Sequence, residues 1–213
     1  MNETITQRLR EYVNKTFVRE DDVLAFVRRQ TAEHGLPQIN LQPHEGLMVQ
    51  LFVRMCAARK VVEVGALAGY SAIWIARALP GDGRLITIDK SSEHCRLARA
   101  HIERAGLADK VSVLQGDGRQ ILDKLAVDAP FDALFVDADK VSYPHYFSWA
   151  ADHLRCGGII MAHNAFWSGQ ILSPESEDDF GLLRFNQMLA EHPAFASTIV
   201  AVGDGLALGV KIS

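Results

Sequence analysis

The stretch from Val61 to Ser71 constrains the fold of this chain more than any other, because it changes structure type within a few residues. It opens on a run rich in valine, which is typical of a buried strand. Gly65 and Gly69 follow and predict a tight turn where a ligand can approach bare backbone. From Ala72 onward, apolar residues recur at helical spacing. A strand, glycine turn and helix leave free backbone N–H groups at the helix start, which favour anionic or polar ligands.

The chain then alternates between strands and helices. Strands are predicted at residues 60–64, 84–88, 111–114, 131–136 and 159–162. This alternation predicts an α/β fold with a doubly wound, mostly parallel sheet. Gly157 and Gly158 are predicted to end the helix before the fifth strand, and a later helix is predicted at 180–190. Residues 197–202 and 206–211 flank the turn Gly203-Asp204-Gly205, so we expect a hairpin with an antiparallel last strand.

Residues 1–57 precede the first strand and predict extra N-terminal helices, two within 5–34 and one at 44–57. Asp21 or Asp22 can cap the second helix. No strand lies among these helices, so they take no part in a βαβ unit. We expect them to cover the ligand site or a partner subunit, with 58–213 forming the ligand-binding core of a single domain.

Composition narrows the class of protein. The 213 residues suit one domain, and a net charge of −4 gives no general attraction to nucleic acid or anionic membranes. Cys56, Cys95 and Cys156 are few, odd in number and scattered, which favours a reducing compartment. No apolar run approaches the roughly 20 residues of a membrane helix. The first ten residues lack a signal-peptide apolar region. We therefore expect a cytoplasmic protein.

Polar residues stand at the end of every predicted parallel strand. In open α/β sheets ligands bind outside the carboxyl ends of the strands, so these residues predict one binding site. The residues are Glu63 with Gly65, Asp89, Asp117, Asp137 with Lys140, and His163 with Asn164.

Two of these acids carry alternative interpretations. Glu63 lies in a valine run and needs a partner, which is either a ligand or the N–H groups of the following turn. Asp89 lies 20 residues after Gly69, where an acid can bind ribose hydroxyls, but it can equally cap the helix that starts near Ser91. The turn reads E-x-G-x-x-x-G, so the dinucleotide fingerprint G-x-G-x-x-G is only half met.

Several longer motifs continue the pattern: VVEVGALAGYSAIWIARALPGDGRLITID, LQGDGRQ, FDALFVDADKVSYPHYF, GGIIMAHNAFWSG and VGDGLAL. Through them the chain resembles the class I S-adenosylmethionine-dependent O-methyltransferases of the caffeoyl-CoA and catechol type, including the bacterial cation-dependent members. The resemblance covers nearly the whole chain, and EVGALAGYS and FVDADK are specific to this branch. It implies a Rossmann-like methyltransferase fold, S-adenosylmethionine as cofactor, a small hydroxyaryl substrate and a homodimer.

The resemblance also implies roles for individual residues. Glu63 would lie at the methionine end of the cofactor, Asp89 would bind both ribose hydroxyls, and Asp117 would lie near the adenine amino group. Trp167 and Tyr143 would shape the substrate pocket. The implied cofactor-binding residues are Leu41, Glu63, Gly65, Leu67, Ser71, Asp89, Gly116, Asp117, Gly118 and Asp137.

The implied chemistry suits these residue types. A phenol with a pKa of about 10 must lose its proton before it attacks a sulfonium methyl group. A divalent metal such as Mg²⁺ can stabilise the resulting anion, and Asp137 would be one of its ligands. Lys140, if partly neutral, can take the proton. The alternative for Lys140 is an ordinary solvated lysine in a loop.

His163 departs from the family pattern, which has Asp-Asn where this chain has His163-Asn164. The candidate metal ligands become Asp137, His163 and Asn164, a set that suits transition metals better than Mg²⁺. A second interpretation is that the metal is lost and His163 is a general base. A third is a pseudo-enzyme that still binds the cofactor. We prefer retention of the metal, because Asp137, Asn164 and Lys140 all remain.

Two other functions stay open at this point. Related bacterial proteins methylate a hydroxylated uridine in tRNA, although the acidic balance and the lack of a basic tract with aromatics weigh against nucleic acid. A non-enzymatic protein that binds the cofactor and a partner is the other alternative.

Overall fold

The computed structural model describes the backbone of residues 3–213 and the side chains of residues 5–213. Seven strands form its sheet: β1 (Lys60–Val64), β2 (Arg84–Asp89), β3 (Val111–Gln115), β4 (Phe131–Val136), β5 (Leu154–His163), β6 (Phe195–Val200) and β7 (Leu206–Lys211). Their order across the sheet is β3-β2-β1-β4-β5-β7-β6. The order of strands reverses beside β1, as in doubly wound folds.

Eight α-helices accompany the sheet in the described part of the chain: α1 (Glu3–Phe17), α2 (Asp22–Glu33), α3 (Pro43–Met55), α4 (Tyr70–Ala78), α5 (Ser92–Arg104), α6 (Gly118–Leu125), α7 (Tyr143–His153) and α8 (Glu177–Glu191). Short 3₁₀ segments occur at Ala126–Asp128, Lys140–Ser142 and Trp167–Leu172. None of the described helices has the length and apolarity needed to cross a membrane.

The pairing of the strands brings their polar ends together. Strands β1 to β5 are parallel, and Val64 at the end of β1 lies level with Ile88 of β2 and Val136 of β4. The residues that follow these positions therefore emerge at one edge of the sheet. Strand β7 is antiparallel to both β5 and β6, so the mostly parallel α/β sheet with an antiparallel last strand is confirmed.

The prediction that Gly157 and Gly158 end a helix is wrong. Helix α7 stops at His153, and both glycines lie inside β5, which begins at Leu154. The register between β4 and β5 shifts at this point. Gly157 has a φ of +76°, and a Cβ on Gly158 would lie 3.0 Å from the Asp132 carbonyl oxygen. These glycines permit an irregularity in the strand, because a larger residue would meet the neighbouring backbone.

Two further boundaries differ from prediction. Helix α8 starts three residues earlier than position 180, because Ser176 and Asp179 form a capping box at its start. Strand β6 covers 195–200 instead of 197–202, since Phe195 pairs with Lys211 at the far end of the hairpin.

The N-terminal helices pack on the α4 side of the sheet. Asp21 caps α2 by accepting from the backbone N–H of Leu24 at 3.0 Å, and it also pairs with Arg77 of α4 at 2.6 Å. Helix α3 lies directly on α4, where a Cβ on Gly46 would collide with the indole of Trp74. These contacts fix the start of α3 beside the carboxyl edge of the sheet.

Candidate functional site

A cavity of about 470 Å³ opens at the carboxyl ends of β1, β2 and β4, where ligands bind in open α/β sheets. Its size lies within the range of small-molecule sites. The segment between α2 and α3 covers one side of it. All the cofactor-binding residues implied by the resemblance line this cavity except Glu63: Leu41, Gly65, Leu67, Ser71, Asp89, Gly116, Asp117, Gly118 and Asp137.

The turn after β1 is held by close backbone packing. Gly65 has a φ of +103°, and a Cβ there would collide with the backbone oxygen of Asp137. Gly69 has a φ of +84° and is the N-cap of α4. Only glycine tolerates these positions without strain. The turn therefore brings its backbone against the end of β4 and leaves the cavity open in front of it.

Asp89 braces this turn. One carboxylate oxygen accepts from the backbone N–H groups of Ala66 at 3.1 Å and Leu67 at 2.9 Å. The other accepts from the backbone N–H of Ser91 at 2.9 Å. Ser91, not Asp89, is the N-cap of α5, because its hydroxyl accepts from the N–H of His94. Asp89 is thus held rigidly at the cavity wall, and its ribose-binding role stays a prediction.

Asp117 makes two structural contacts at the cavity rim. It caps α6 by accepting from the backbone N–H of Arg119 at 2.9 Å. Its carboxylate also pairs with the Arg119 guanidinium at 3.1 Å. Hydrogen bonding from Arg119 lowers the pKa of Asp117, so the carboxylate is charged at neutral pH. Contact with an adenine amino group stays a prediction.

Glu63 lies behind the cavity and is fully buried. Neither of its carboxylate oxygens forms a hydrogen bond of normal geometry with any residue in the described range 5–213. Burial raises the pKa of Glu63 to about 7, although the neighbouring hydroxyls of Ser71 and Thr87 oppose the rise. The prediction that Glu63 caps the following turn is wrong, because its carboxylate accepts no hydrogen bond from the N–H groups of that turn. A buried carboxyl group without a partner is costly, and a cationic ligand group beside it would relieve that cost.

Lys140 is buried beside the cavity, with 3% of the residue exposed. Its ammonium group contacts the Tyr143 hydroxyl and lies 3.6 Å from Asp137 Oδ1. The face of the Trp167 indole lies 5.2 Å from Nζ. Burial lowers the pKa of Lys140 below its ordinary value, and the charge of Asp137 opposes this shift. Lys140 is therefore not a solvated loop lysine, and its environment is that of a lysine which can exchange a proton.

His163 lies at the end of β5 between two acids. Its Nδ1 lies 3.2 Å from Asp137 Oδ2, and its Nε2 lies 3.5 Å from Glu45 Oε2. Burial disfavours the charged ring, but the charges of Asp137 and Glu45 raise the pKa of His163 to about 9. In turn, His163 lowers the pKa of both acids, against the effect of their own burial. A ring that is protonated at neutral pH is not poised as a general base.

The three candidate metal ligands, Asp137, His163 and Asn164, do not direct their donor atoms at one common point. Asp137 has one oxygen beside Lys140 and the other beside His163. Both His163 nitrogens face carboxylates. The Asn164 amide nitrogen points to Asp204 Oδ2 at 3.4 Å. Within residues 5–213, no group of three or more histidine, cysteine or acidic side chains is arranged to hold a metal ion. The donor set present therefore does not fit a divalent metal.

The two predicted substrate residues differ in position. Tyr143 is fully buried, and its hydroxyl lies 3.3 Å from the carbonyl oxygens of Val136 and His163. Its hydroxyl contacts the Lys140 ammonium group, and Tyr143 is not among the residues that line the cavity. Trp167 is partly exposed and lies at a tight turn with a φ of +50°, where its indole faces Lys140. Its position suits the wall of a substrate pocket.

Glu45 and Asp204 were missed by reasoning from sequence. Glu45 follows Gln42 at the spacing of a capping box, and its Oε2 accepts from the Gln42 backbone N–H at 2.6 Å. That spacing signals a helix start but gives no hint of His163, which is distant in sequence. Asp204 accepts from the Ser168 backbone N–H at 2.8 Å and so ties the β6–β7 turn to the loop after β5. No local pattern reveals that contact.

Comparisons with known proteins agree with this fold. The O-methyltransferase family profile matches residues 14–212. A catechol O-methyltransferase of Niastella koreensis is 39% identical over 99% of both chains. Caffeoyl-CoA O-methyltransferase 1 of Arabidopsis thaliana is 30% identical over 96% of this chain and 85% of that protein. The O-methyltransferase TomG of Streptomyces achromogenes, solved with S-adenosylmethionine, superposes with a TM-score of 0.93 at 32% identity over 100% of both chains. The chain belongs to the O-methyltransferase family.

Proposed function

We propose that this protein is an S-adenosylmethionine-dependent O-methyltransferase that methylates a hydroxyl of a small catechol-like or hydroxyaryl substrate. One observation carries the proposal: a cavity at the strand ends, built around the glycine turn and Asp89, adjoins a buried lysine beside Asp137. The first arrangement suits a nucleoside with an amino-acid end. The second suits removal of a proton from an acidic hydroxyl.

The residues present fit the cofactor. The carboxyl of Glu63, which has no hydrogen bond of normal geometry among the described side chains and backbone, would meet the cofactor ammonium group, and the backbone of the turn after β1 would meet its carboxylate. Asp89 would hold the ribose hydroxyls. S-adenosylmethionine supplies an electrophilic methyl group on a sulfonium centre. The wall at Leu41 and Leu67 would exclude water from that centre.

Lys140 would act on the substrate. Lys140 first releases its own proton to solvent, which its burial favours, and the neutral Nζ then takes the proton of the attacking hydroxyl. The resulting oxygen anion bonds to the methyl carbon as the carbon–sulfur bond breaks. The products are the methyl ether and S-adenosylhomocysteine. Trp167 would hold the aryl ring against this group, since alignment of oxygen, carbon and sulfur supplies much of the rate. No step of this mechanism passes through a metal, because the donor set does not fit one.

A substrate panel tests the proposal. The protein is incubated with S-adenosylmethionine carrying a labelled methyl group and with catechol, a substituted vicinal diphenol, a monophenol, or tRNA containing hydroxyuridine. We expect label in the methyl ethers of the diphenols. Label only in the tRNA would favour the alternative substrate class. Cofactor binding by calorimetry without transfer to any compound would favour a binding protein.

We propose in addition that the protein is a cytoplasmic homodimer and that each chain is a single domain in which 58–213 is the cofactor-binding core.

A further inference from the structure

The side chain of His163 stands in a buried row of alternating charges. Lys140 lies 3.6 Å from Asp137, Asp137 lies 3.2 Å from His163, and His163 lies 3.5 Å from Glu45. The His163 and Glu45 side chains are 8% and 7% exposed. Buried charges persist only where each has an opposite partner, and here each inner member of the row has two.

The row places the imidazole at a position where the resemblance implies a metal ligand. His163 stands at the strand-end position that the family pattern gives to a carboxylate ligand. A metal ion binds a ring nitrogen through its lone pair, so one nitrogen must be free of a proton and directed at the ion. Here both nitrogens face carboxylate oxygens. Neither nitrogen forms a hydrogen bond of normal geometry within residues 5–213, but each lies at ion-pair distance from a carboxylate, which is the arrangement of a charged ring between two acids.

Glu45 completes this arrangement from a distant part of the chain. It lies in the first turn of α3, and its cap contact with Gln42 fixes the carboxylate. A Cβ on Gly203 would collide with Glu45 Oε1, so the β6–β7 turn closes over the same carboxylate. The position of Glu45 is therefore determined from two sides, independently of His163.

We propose that the His163 ring, held between Asp137 and Glu45, takes the place of the divalent metal, and that this enzyme needs no added metal for methyl transfer. The inference rests on the proposed O-methyltransferase function. The positive ring offsets the negative charge of Asp137, which lines the cavity, and so reduces the repulsion between Asp137 and the oxygen anion formed when Lys140 takes the substrate proton. Glu45 is a positioning residue, because it acts through His163.

The first test measures metal binding without relying on turnover. The wild-type protein is titrated with Mn²⁺ and followed by electron paramagnetic resonance, beside His163→Asp. We expect the wild-type protein to leave the free Mn²⁺ signal unchanged and the variant to deplete it. Tight Mn²⁺ binding by the wild-type protein would overturn the inference. A folded His163→Asp protein that binds no Mn²⁺ would also count against it, because restoring the carboxylate restores the family ligand set.

The second test measures methylation of a diphenol after EDTA treatment, with and without added Mg²⁺ or Mn²⁺. Unchanged activity is expected in every condition. Loss of activity in EDTA with recovery on adding metal would overturn the inference while leaving the proposed function intact. Absence of turnover in all conditions, with cofactor binding retained in calorimetry, would contradict the proposed function instead.

The third test isolates Glu45 through Glu45→Gln. Glutamine preserves the capping box of α3, because its side-chain oxygen can still serve as the cap acceptor, but it replaces the charge that faces His163. We expect kcat to fall roughly 10- to 100-fold, the scale of a mispositioned catalytic group, with KM for S-adenosylmethionine unchanged. An unchanged kcat would contradict the positioning role, as would a fall in kcat that is matched by a loss of thermal stability.

Discussion

The two sides of the cavity edge differ in what positions their residues: contacts with neighbours in sequence on one side, and contacts between distant parts of the chain on the other. On the β1–β2–β3 side, most residues implied to bind the cofactor lie at the end of a strand or in the turn after it, and neighbours in sequence set the local geometry: Asp117 caps the helix after β3, and Gly69 caps α4. On the β4–β5 side, Asp137, His163 and Glu45 come from three separate elements and define one another by charge. Local motifs thus suffice for a binding surface, whereas the reactive side depends on packing.

Lys140→Met probes the reactive side and has the largest expected effect. Removing the group that takes the substrate proton is expected to lower kcat by about 10² to 10⁴-fold, the usual contribution of general base catalysis. Steady-state kinetics on a diphenol measure the fall, and calorimetry is expected to show unchanged cofactor affinity. Lys124→Met, at an exposed position of α6, is the matched control. Equal kcat values for the two variants would remove Lys140 from the mechanism.

Gly65→Ala probes the binding side through its backbone. The new Cβ would collide with the Asp137 carbonyl and would also require a strained φ of +103°. We expect a loss of about 3 kcal/mol or more in unfolding free energy, within the range of severe backbone strain and overpacking. Chemical denaturation measures it. Gly106→Ala, with a φ of +68° and no neighbour within 4 Å, carries only the φ penalty. Similar losses of unfolding free energy in both variants would show that the close packing of Gly65 against the Asp137 backbone is unimportant for stability.

Glu63→Gln tests whether an unpaired acid lies behind the binding surface. Burial raises the pKa of Glu63 to about 7 from an ordinary 4.5, so the folded state holds this proton more tightly than the unfolded state. Glu63 therefore favours folding fully below pH 4.5, and this contribution is lost as pH rises through 7. We expect Glu63→Gln without cofactor to be more stable than wild type at pH 8, by up to roughly 3 kcal/mol, and not at pH 4.

Thermal unfolding of the two proteins across this pH window checks the Glu63 prediction. A difference between them that stays constant from pH 4 to pH 8 would contradict it, because a constant difference cannot come from this proton. Excess S-adenosylmethionine is expected to shrink the advantage of the variant at pH 8, since the cofactor ammonium would then pair with the wild-type carboxylate.

Asp117→Ser has the smallest expected effect and separates a local cap from a ligand contact. Serine caps helices about as well as aspartate, so stability is expected to stay within about 0.5 kcal/mol of wild type. Loss of a hydrogen bond to adenine is expected to weaken cofactor binding by about 1 kcal/mol, or roughly fivefold. Calorimetry measures the affinity. Unchanged affinity together with unchanged stability would leave Asp117 as a helix cap alone.

Much of the fold was predictable because its signals are local. The valine run and the glycines that follow predict β1 and its turn, and the turn Gly203-Asp204-Gly205 predicts the final hairpin. The error at Gly157 and Gly158 has the same origin: a glycine pair can end a helix or relieve a crowded strand, and only the neighbouring Asp132 backbone distinguishes the two.

The sequence by itself determined the α/β class, because hydrophobic periodicity and strand-end polarity depend on consecutive residues. The resemblance of its longer motifs to a known family indicated the family and the residues that border the cavity. Only the tertiary structure decided which charged groups meet on the β4–β5 side of the cavity edge. Tyr143 lies fully buried against Lys140, and His163 has two acid partners, one of them from a helix 118 residues earlier in the chain. Charge and burial at such a site depend on which side chains meet in space, and no local pattern encodes that.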